Sequence, residues 1–194
     1  MTVRMSEQVG EDIILAKNDW GKEFIQRYYK NPRTEAVNEY ALFSYRGGKV
    51  RPSIFMAVTT DGNVIAIRQF REAANEVILE LPGGNPKKGQ TAEDVVRAEL
   101  LEETGYQAGA IINLTPNKPI YLEPSSYTVS ILSFLVTDCR KVAEPTPDET
   151  ENLEVEIFTL AQWITACMTG EVHDSKSIAI TLLALPHLGI TLPQ

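Results

Sequence analysis

The stretch LPGGNPKKGQTAEDVVRAELLEETGY, residues 81–106, decides the fold. It runs from a Pro-Gly-Gly turn through a loop into a short helix whose last turns carry Glu99, Glu102 and Glu103. Thr91 stands where an N-cap is needed, and Asp94 three residues on completes a variant capping box. Gly105, just past Thr104, is the expected stop, since glycine accepts the left-handed conformation that ends a helix. Spacings of three and four residues place the three glutamates on one helix face. Carboxylates so close repel one another unless a cation sits among them, and oxygen-only ligands suit Mg²⁺ or Mn²⁺.

An acidic cluster on a helix is usually only a solvated face. The surrounding order of strand, Pro-Gly-Gly turn, loop, helix, glutamates and glycine stop argues otherwise. The stretch resembles the Nudix box, G-x5-E-x7-R-E-U-x-E-E-x-G-U, where U is a bulky apolar residue. Gly84, Glu99, Leu100, Glu102, Glu103 and Gly105 fall on its positions, and Tyr106 does so loosely. Gln90 stands where the box has its first Glu, and Ala98 where it has Arg. Arg97 is displaced by one residue, about 100° around a helix, and so does not replace that Arg. The resemblance implies that Glu99, Glu102 and Glu103 hold the metal.

The 194 residues suffice for one domain with an ample core and an N-terminal extension. A net charge of −8 argues against a nucleic-acid groove, which needs clustered Lys and Arg. Two cysteines, Cys139 and Cys167, lack metal-ligand spacing and fit a reducing compartment. With no apolar run long enough to span a bilayer and no signal-peptide core, the expectation is a cytoplasmic protein without membrane or nucleic-acid partners.

Within residues 1–39, the stretch from Ile13 to Tyr29 alternates apolar and polar residues without one clear period, and Trp20, Phe24, Tyr28 and Tyr29 call for a surface to dock on. From Tyr40 the period becomes two. EYALFSYR, Gly47-Gly48 and KVRPSIFMAVTT read as a hairpin. Asp61-Gly62 marks a turn before the strand NVIAIRQF, and VILELP, residues 77–82, reads as another strand. AGAIINLTP and KPIYLEPSSYTVSILSFLVTD read as two more, and LEVEIF as the last. LAQWITACMTGEV and SKSIAITLLALPHL read as helices, and His173 and His187 as structural or exposed.

IRQFREAANEVILELPGG is similar to the segment before the box in the ADP-ribose and nucleoside-diphosphate-sugar pyrophosphatase branch of the Nudix family. The resemblance implies that Arg71 contacts a substrate phosphate, that Glu80 belongs to the substrate site, and that the Gly83 carbonyl is a metal ligand. Tyr127, in Pro124-Ser125-Ser126-Tyr127, falls near the branch's sugar-side loop. A glutamate of the loop AEPTPDETEN would orient or deprotonate the attacking water. Glu151 fits best by its distance from LEVEIF, with Glu149 second, and Glu103 is a catalytic candidate besides being a ligand.

The expected fold is α/β, a Nudix α/β/α sandwich with a mixed, mainly antiparallel sheet. Residues 1–39 form an N-terminal extension that serves dimerisation, and residues 40–194 the Nudix domain. The expected activity is Mg²⁺-dependent (or Mn²⁺-dependent) hydrolysis of a nucleoside-diphosphate-sugar to a nucleoside monophosphate and a sugar phosphate, by a homodimer. Two alternatives stay open. Gln90 and Ala98 would suit a domain that binds nucleotide-sugars without cleaving them, and a nucleoside-triphosphate pyrophosphohydrolase is the rival within the family.

Overall fold

The computed structural model describes residues 3–190, and the chain divides into two compact units. One comprises the chain up to Arg51 together with Tyr121–Ser130, and the other comprises Pro52–Ile120 and the chain from Ile131 onward.

The first unit holds a three-stranded antiparallel sheet in the order β1 (Glu7–Lys17), β2 (Lys22–Lys30), β3 (Val37–Tyr45). The region without a clear period is thus two strands of this sheet. Its pattern was illegible for a physical reason: β1 is an edge strand exposed along nearly its whole length, so no buried face imposes alternation. Register shifts between Val9 and Ile13 and between Ile14 and Ala16 break the phase further. The expected hairpin is corrected as well. Gly47 and Gly48 do take positive φ, 66° and 68°, but they belong to a 3₁₀ turn, and β3 pairs with β2 along nine residues from Val37 to Tyr45. The strand that follows joins another sheet, and the first unit extends to Arg51. In the 121–130 segment, Tyr127 stacks on Phe43 with ring centroids 5.2 Å apart.

The second unit runs β4 (Ser53–Thr59), β5 (Asn63–Arg71), β6 (Glu76–Glu80), β7 (Gly83–Gly84), α1 (Ala92–Thr104), β8 (Tyr106–Gln107) and β9 (Ala110–Asn113). After β10 (Ile120–Tyr121) come β11 (Ser130–Lys141), β12 (Leu153–Thr159), α2 (Leu160–Thr169) and α3 (Ser175–Ala184). Its sheet is ordered β11-β4-β5-β12, with β6 on β5, β7 on β4, and β8 and β9 on β11. β4 and β11 run parallel, whereas β4–β5, β4–β7, β5–β6, β5–β12, β8–β11 and β9–β11 are antiparallel.

Alternation along the central strands builds two cores. Ile54, Met56, Val58, Val64, Ala66, Ile131 and Leu135 pack with Trp163 and Ala166 of α2 and Ile180 and Ala184 of α3. Their neighbours Phe55, Ala57, Ile65, Phe134 and Val136 face the other way, onto Val96 and Leu100 of α1. This is the α/β/α sandwich. Each fully buried Ile, Leu or Phe contributes about 1.5–3 kcal/mol, which is why both faces of β4 are apolar. Two strands are shorter than their apolar runs suggested. β6 ends at Glu80 because Pro82 has no N–H to continue a ladder, and the long run after Lys118 is broken between Tyr121 and Ser130. No helix of the described residues is long and apolar enough to cross a membrane.

Candidate active site

Helix α1 begins and ends as its sequence dictates. The Thr91 hydroxyl accepts from the Asp94 N–H at 3.2 Å, and the Asp94 carboxylate accepts from the Thr91 N–H at 2.9 Å, which closes the capping box. Gly105 takes the left-handed conformation at φ 73°. Between these ends the helix lays its glutamates against β7. The Glu103 carboxylate is buried and accepts the Gly83 N–H at 3.0 Å. Glu99 lies so close over Gly84 that a Cβ there would come within 2.7 Å of Oε2, with Oε1 and Cδ nearer still. A larger residue at position 84 would displace that carboxylate from its present place.

The loop after β11 is fastened to the end of the same helix. Val142 and Ala143 donate N–H groups to the Gly105 carbonyl at 3.0 and 3.1 Å, and Thr146 donates to the Glu102 carbonyl at 2.8 Å. Farther along, Asp148 N–H donates to the Glu151 carboxylate at 3.0 Å. The loop thereby brings Asp148 and Glu151 into the field of the helix glutamates. Burial pushes the Glu103 carboxyl up to about 9; the charges of Glu99 and Glu151 add to this, and the Gly83 N–H opposes it. Burial, then the charges of Glu102 and Glu151, raise Glu99 to about 7. Glu102 is also raised, by burial first, with the Lys87 ammonium opposing. Glu149 is exposed on the same loop, and the loop charges that bear on the helix glutamates are those of Glu151 and Asp148.

The two departures from the box have visible surroundings. Gln90 closes the loop before α1, its side-chain oxygen accepting the Lys87 N–H at 2.7 Å. Arg97 donates to the Ala108 carbonyl at 3.5 Å and does not serve the glutamates. The cation beside them is Lys87, whose Nζ lies 3.8 Å from Glu102 Oε2. Sequence reasoning passed over both Lys87 and Asp148. Their one signal was membership of loops flanking the acidic helix.

Arg71 ends β5 and meets Glu80, the last residue of β6. Its Nε and Nη2 both reach Glu80 Oε1 at 2.6 Å. Glu80 is buried at 1% exposure, with its carboxylate on the Arg71 guanidinium. Tyr127 lies in the first unit, on Phe43.

The donor chemistry fits a hard divalent ion: several carboxylates with raised proton affinity share one region, and a cation would relieve their repulsion. Their present rotamers do not close around a point. Among the described residues no three acidic, histidine or cysteine side chains are placed to hold an ion as they stand, with Glu103 turned to the Gly83 N–H and Glu102 facing Lys87.

The sandwich with a glutamate-bearing helix laid against a Gly-Gly strand defines the class. The NUDIX domain model matches residues 49–179, and the chain belongs to the Nudix family. It is 32% identical over 123 residues to the ADP-ribose pyrophosphatase of Bacillus subtilis (strain 168), a match covering 63% of this chain and 65% of that protein. It is 30% identical over 125 residues to the GDP-mannose pyrophosphatase of Citrobacter koseri, covering 60% of this chain and 63% of the relative. Both matches span less than two thirds of the relative's length. A crystal structure of an ADP compounds hydrolase superposes with a TM-score of 0.81 over 97% of each chain at 15% identity, a likeness of fold.

Proposed function

We propose that the protein hydrolyses the pyrophosphate bond of a nucleoside-diphosphate-sugar of the ADP-ribose type, giving a nucleoside monophosphate and a sugar phosphate, with Mg²⁺ as the metal and Mn²⁺ able to serve. The observation that carries this reading is the meeting of Glu99, Glu102 and Glu103 with the loop carboxylate Glu151 in one electrostatic cluster. The names of the two relatives, an ADP-ribose and a GDP-mannose pyrophosphatase, support the substrate class. Glu99, Glu102, Glu103 and the Gly83 carbonyl would hold the metal, which when bound neutralises the pyrophosphate and makes water a better nucleophile. Arg71 would bind a phosphate oxygen through the guanidinium edge not used by Glu80. Glu151 would orient the attacking water and accept its proton, with Glu149 the second choice.

The test is a panel of ADP-ribose, ADP-glucose, GDP-mannose, UDP-glucose and nucleoside triphosphates with Mg²⁺ and identified products. Turnover confined to triphosphates would overturn the reading. Tight binding of a sugar nucleotide without turnover would instead favour the binding-domain alternative raised by Gln90 and Ala98. We also propose a cytoplasmic homodimer. Support comes from the edge strand β1, which leaves Val9, Ile13, Ile14 and Leu15 between 42% and 54% exposed. Light scattering that gives a monomer at micromolar concentration, with normal activity, would refute the dimer.

A further inference from the structure

Behind Arg71 stands a chain of charges that the proposed reaction does not itself require. Glu80 Oε1 takes Arg71, and Glu80 Oε2 lies 3.5 Å from Lys176 Nζ. Lys176 in turn meets Asp174 Oδ1 at 2.5 Å. Asp174 is the N-cap of α3, accepting the Ser177 N–H at 3.0 Å and the Ser177 hydroxyl at 2.7 Å. That hydroxyl accepts the Leu81 N–H at 2.8 Å, one residue beyond Glu80. The start of α3 is therefore bolted to the end of β6, and Lys176 is aimed at the carboxylate that β6 delivers.

We propose that Lys176 is a positioning residue for substrate binding: acting through the buried carboxylate of Glu80, it fixes the Arg71 guanidinium with its outer edge presented to a phosphate of the sugar nucleotide. The inference rests on the pyrophosphatase reading given above. The physical argument starts from Glu80. A carboxylate at 1% exposure needs its charge matched and its oxygens occupied. Arg71 occupies Oε1 with two N–H groups, which leaves Oε2 to Lys176. Without that second cation the carboxylate is free to rotate, and the guanidinium plane rotates with it. The Arg71 side chain is 43% exposed, and Nη1 has no protein partner among the described residues. Nη1 and the outer N–H of Nη2 thus form a planar fork of the spacing that binds phosphate bidentately, provided the inner edge is held. Lys176, at 22% side-chain exposure and engaged by two carboxylates, is a support and not itself the phosphate contact.

The test is a double-mutant cycle of Lys176→Met and Arg71→Ala. It is read by calorimetric binding of the α,β-methylene analogue of ADP-ribose with Mg²⁺ and by steady-state kinetics on the cleavable substrate. Lys176→Met should weaken analogue binding and raise KM about 10-fold with kcat within about twofold, and Lys176→Arg should recover most of the loss. The double variant should bind no more weakly than Arg71→Ala alone, because a support has nothing left to support. Additive losses would show that Lys176 acts independently of Arg71 and would overturn the proposal. A second measurement needs no substrate. The Arg71 Nε–H resonance of the free protein should exchange slowly in the parent and in Lys176→Arg, and rapidly in Lys176→Met. Unchanged exchange in Lys176→Met would overturn the proposal even if the sugar-nucleotide reading stands. A parent protein that ignores the analogue would refute that reading while the exchange measurement still decides the positioning.

Discussion

Gly84→Ala is a sharp probe of the site, because it adds one methyl group at the point where β7 touches Glu99. Gly84 is not among the glycines with positive φ, so alanine meets no backbone strain. The conflict is confined to the Glu99 carboxylate, whose Oε2 would sit 2.7 Å from the new carbon, with Oε1 and Cδ closer, where ordinary contact begins at 3.4 Å. The carboxylate must therefore retreat by about 1 Å, a displacement that costs about 100-fold when it misplaces a catalytic group. That factor corresponds to about 2.7 kcal/mol of lost transition-state stabilisation, while the folded state should lose less than about 1 kcal/mol since a side chain can swing aside. Steady-state kinetics on ADP-ribose, Mg²⁺ titration calorimetry and a thermal melt together read the three quantities. Parent-like kcat/KM and Mg²⁺ affinity in a well-folded Gly84→Ala protein would refute the placement of Glu99 at the reacting centre. Gly83→Ala serves as the contrast: its Cβ would meet Ile54 Cα at 2.8 Å and the Ser53 carbonyl more closely still, so it should destabilise the whole sheet.

Other expectations follow from the same geometry. Glu102→Gln should abolish most activity and most of the rise in Tm on adding Mg²⁺, and an undiminished rise would remove Glu102 from the ligand set. The metal-free protein should become less stable as pH rises. Glutamates that titrate near 4.5 when unfolded are held at about 7 (Glu99) and about 9 (Glu103) when folded, so the native state carries extra protons across that window. Melts from pH 5 to 9 in chelator should show Tm falling and Mg²⁺ should flatten the slope; a flat or rising metal-free curve would contradict the assignment. Glu80→Ala strands Arg71 and Lys176 beside an emptied site, and should cost about 3 kcal/mol and lower Tm by about 6–12 °C in a chain of this size. Thr181→Val removes the acceptor of the buried Trp163 Nε1–H, now bonded at 2.8 Å, and should cost about 1–3 kcal/mol in a denaturant titration.

How far the sequence could be read depended on what each segment buries. Helix α1 was legible to the residue at both ends, since Thr91, Asp94 and Gly105 act locally and need no distant partner. Strands β4 and β5 were legible because burial on both faces leaves long apolar runs. The pairing of β3 was not, because the Gly47-Gly48 signal specifies positive φ and not which strand comes next. In the site, Glu99, Glu102 and Glu103 could be read together from helical spacing alone. Asp148 and Lys87 could not, since their approach depends on a backbone bond between Thr146 and Glu102 and on the turn closed by Gln90. The Arg71–Glu80 ion pair was not legible either, since the β5–β6 register pairs Arg71 with Glu76 and Ile67 with Glu80, and only the reach of the Arg71 side chain brings its guanidinium to that carboxylate.

The division of the chain has a consequence for synthesis on the ribosome. Residues 121–130 belong with the first three strands, yet they are translated about 75 residues after β3 ends, with β4 to β9 and α1 in between. The N-terminal sheet emerges first but stays unfinished until that segment arrives, with the face of Phe43 that will take Tyr127 left open to water. The parallel pair β4–β11, which joins Ser53 to Leu132, waits for the same stretch of chain. Parallel pairing over so long a loop is slow to form. Nascent chains stalled before residue 130 should therefore be the aggregation-prone species, and a chaperone that holds unfinished sheets should engage this protein early.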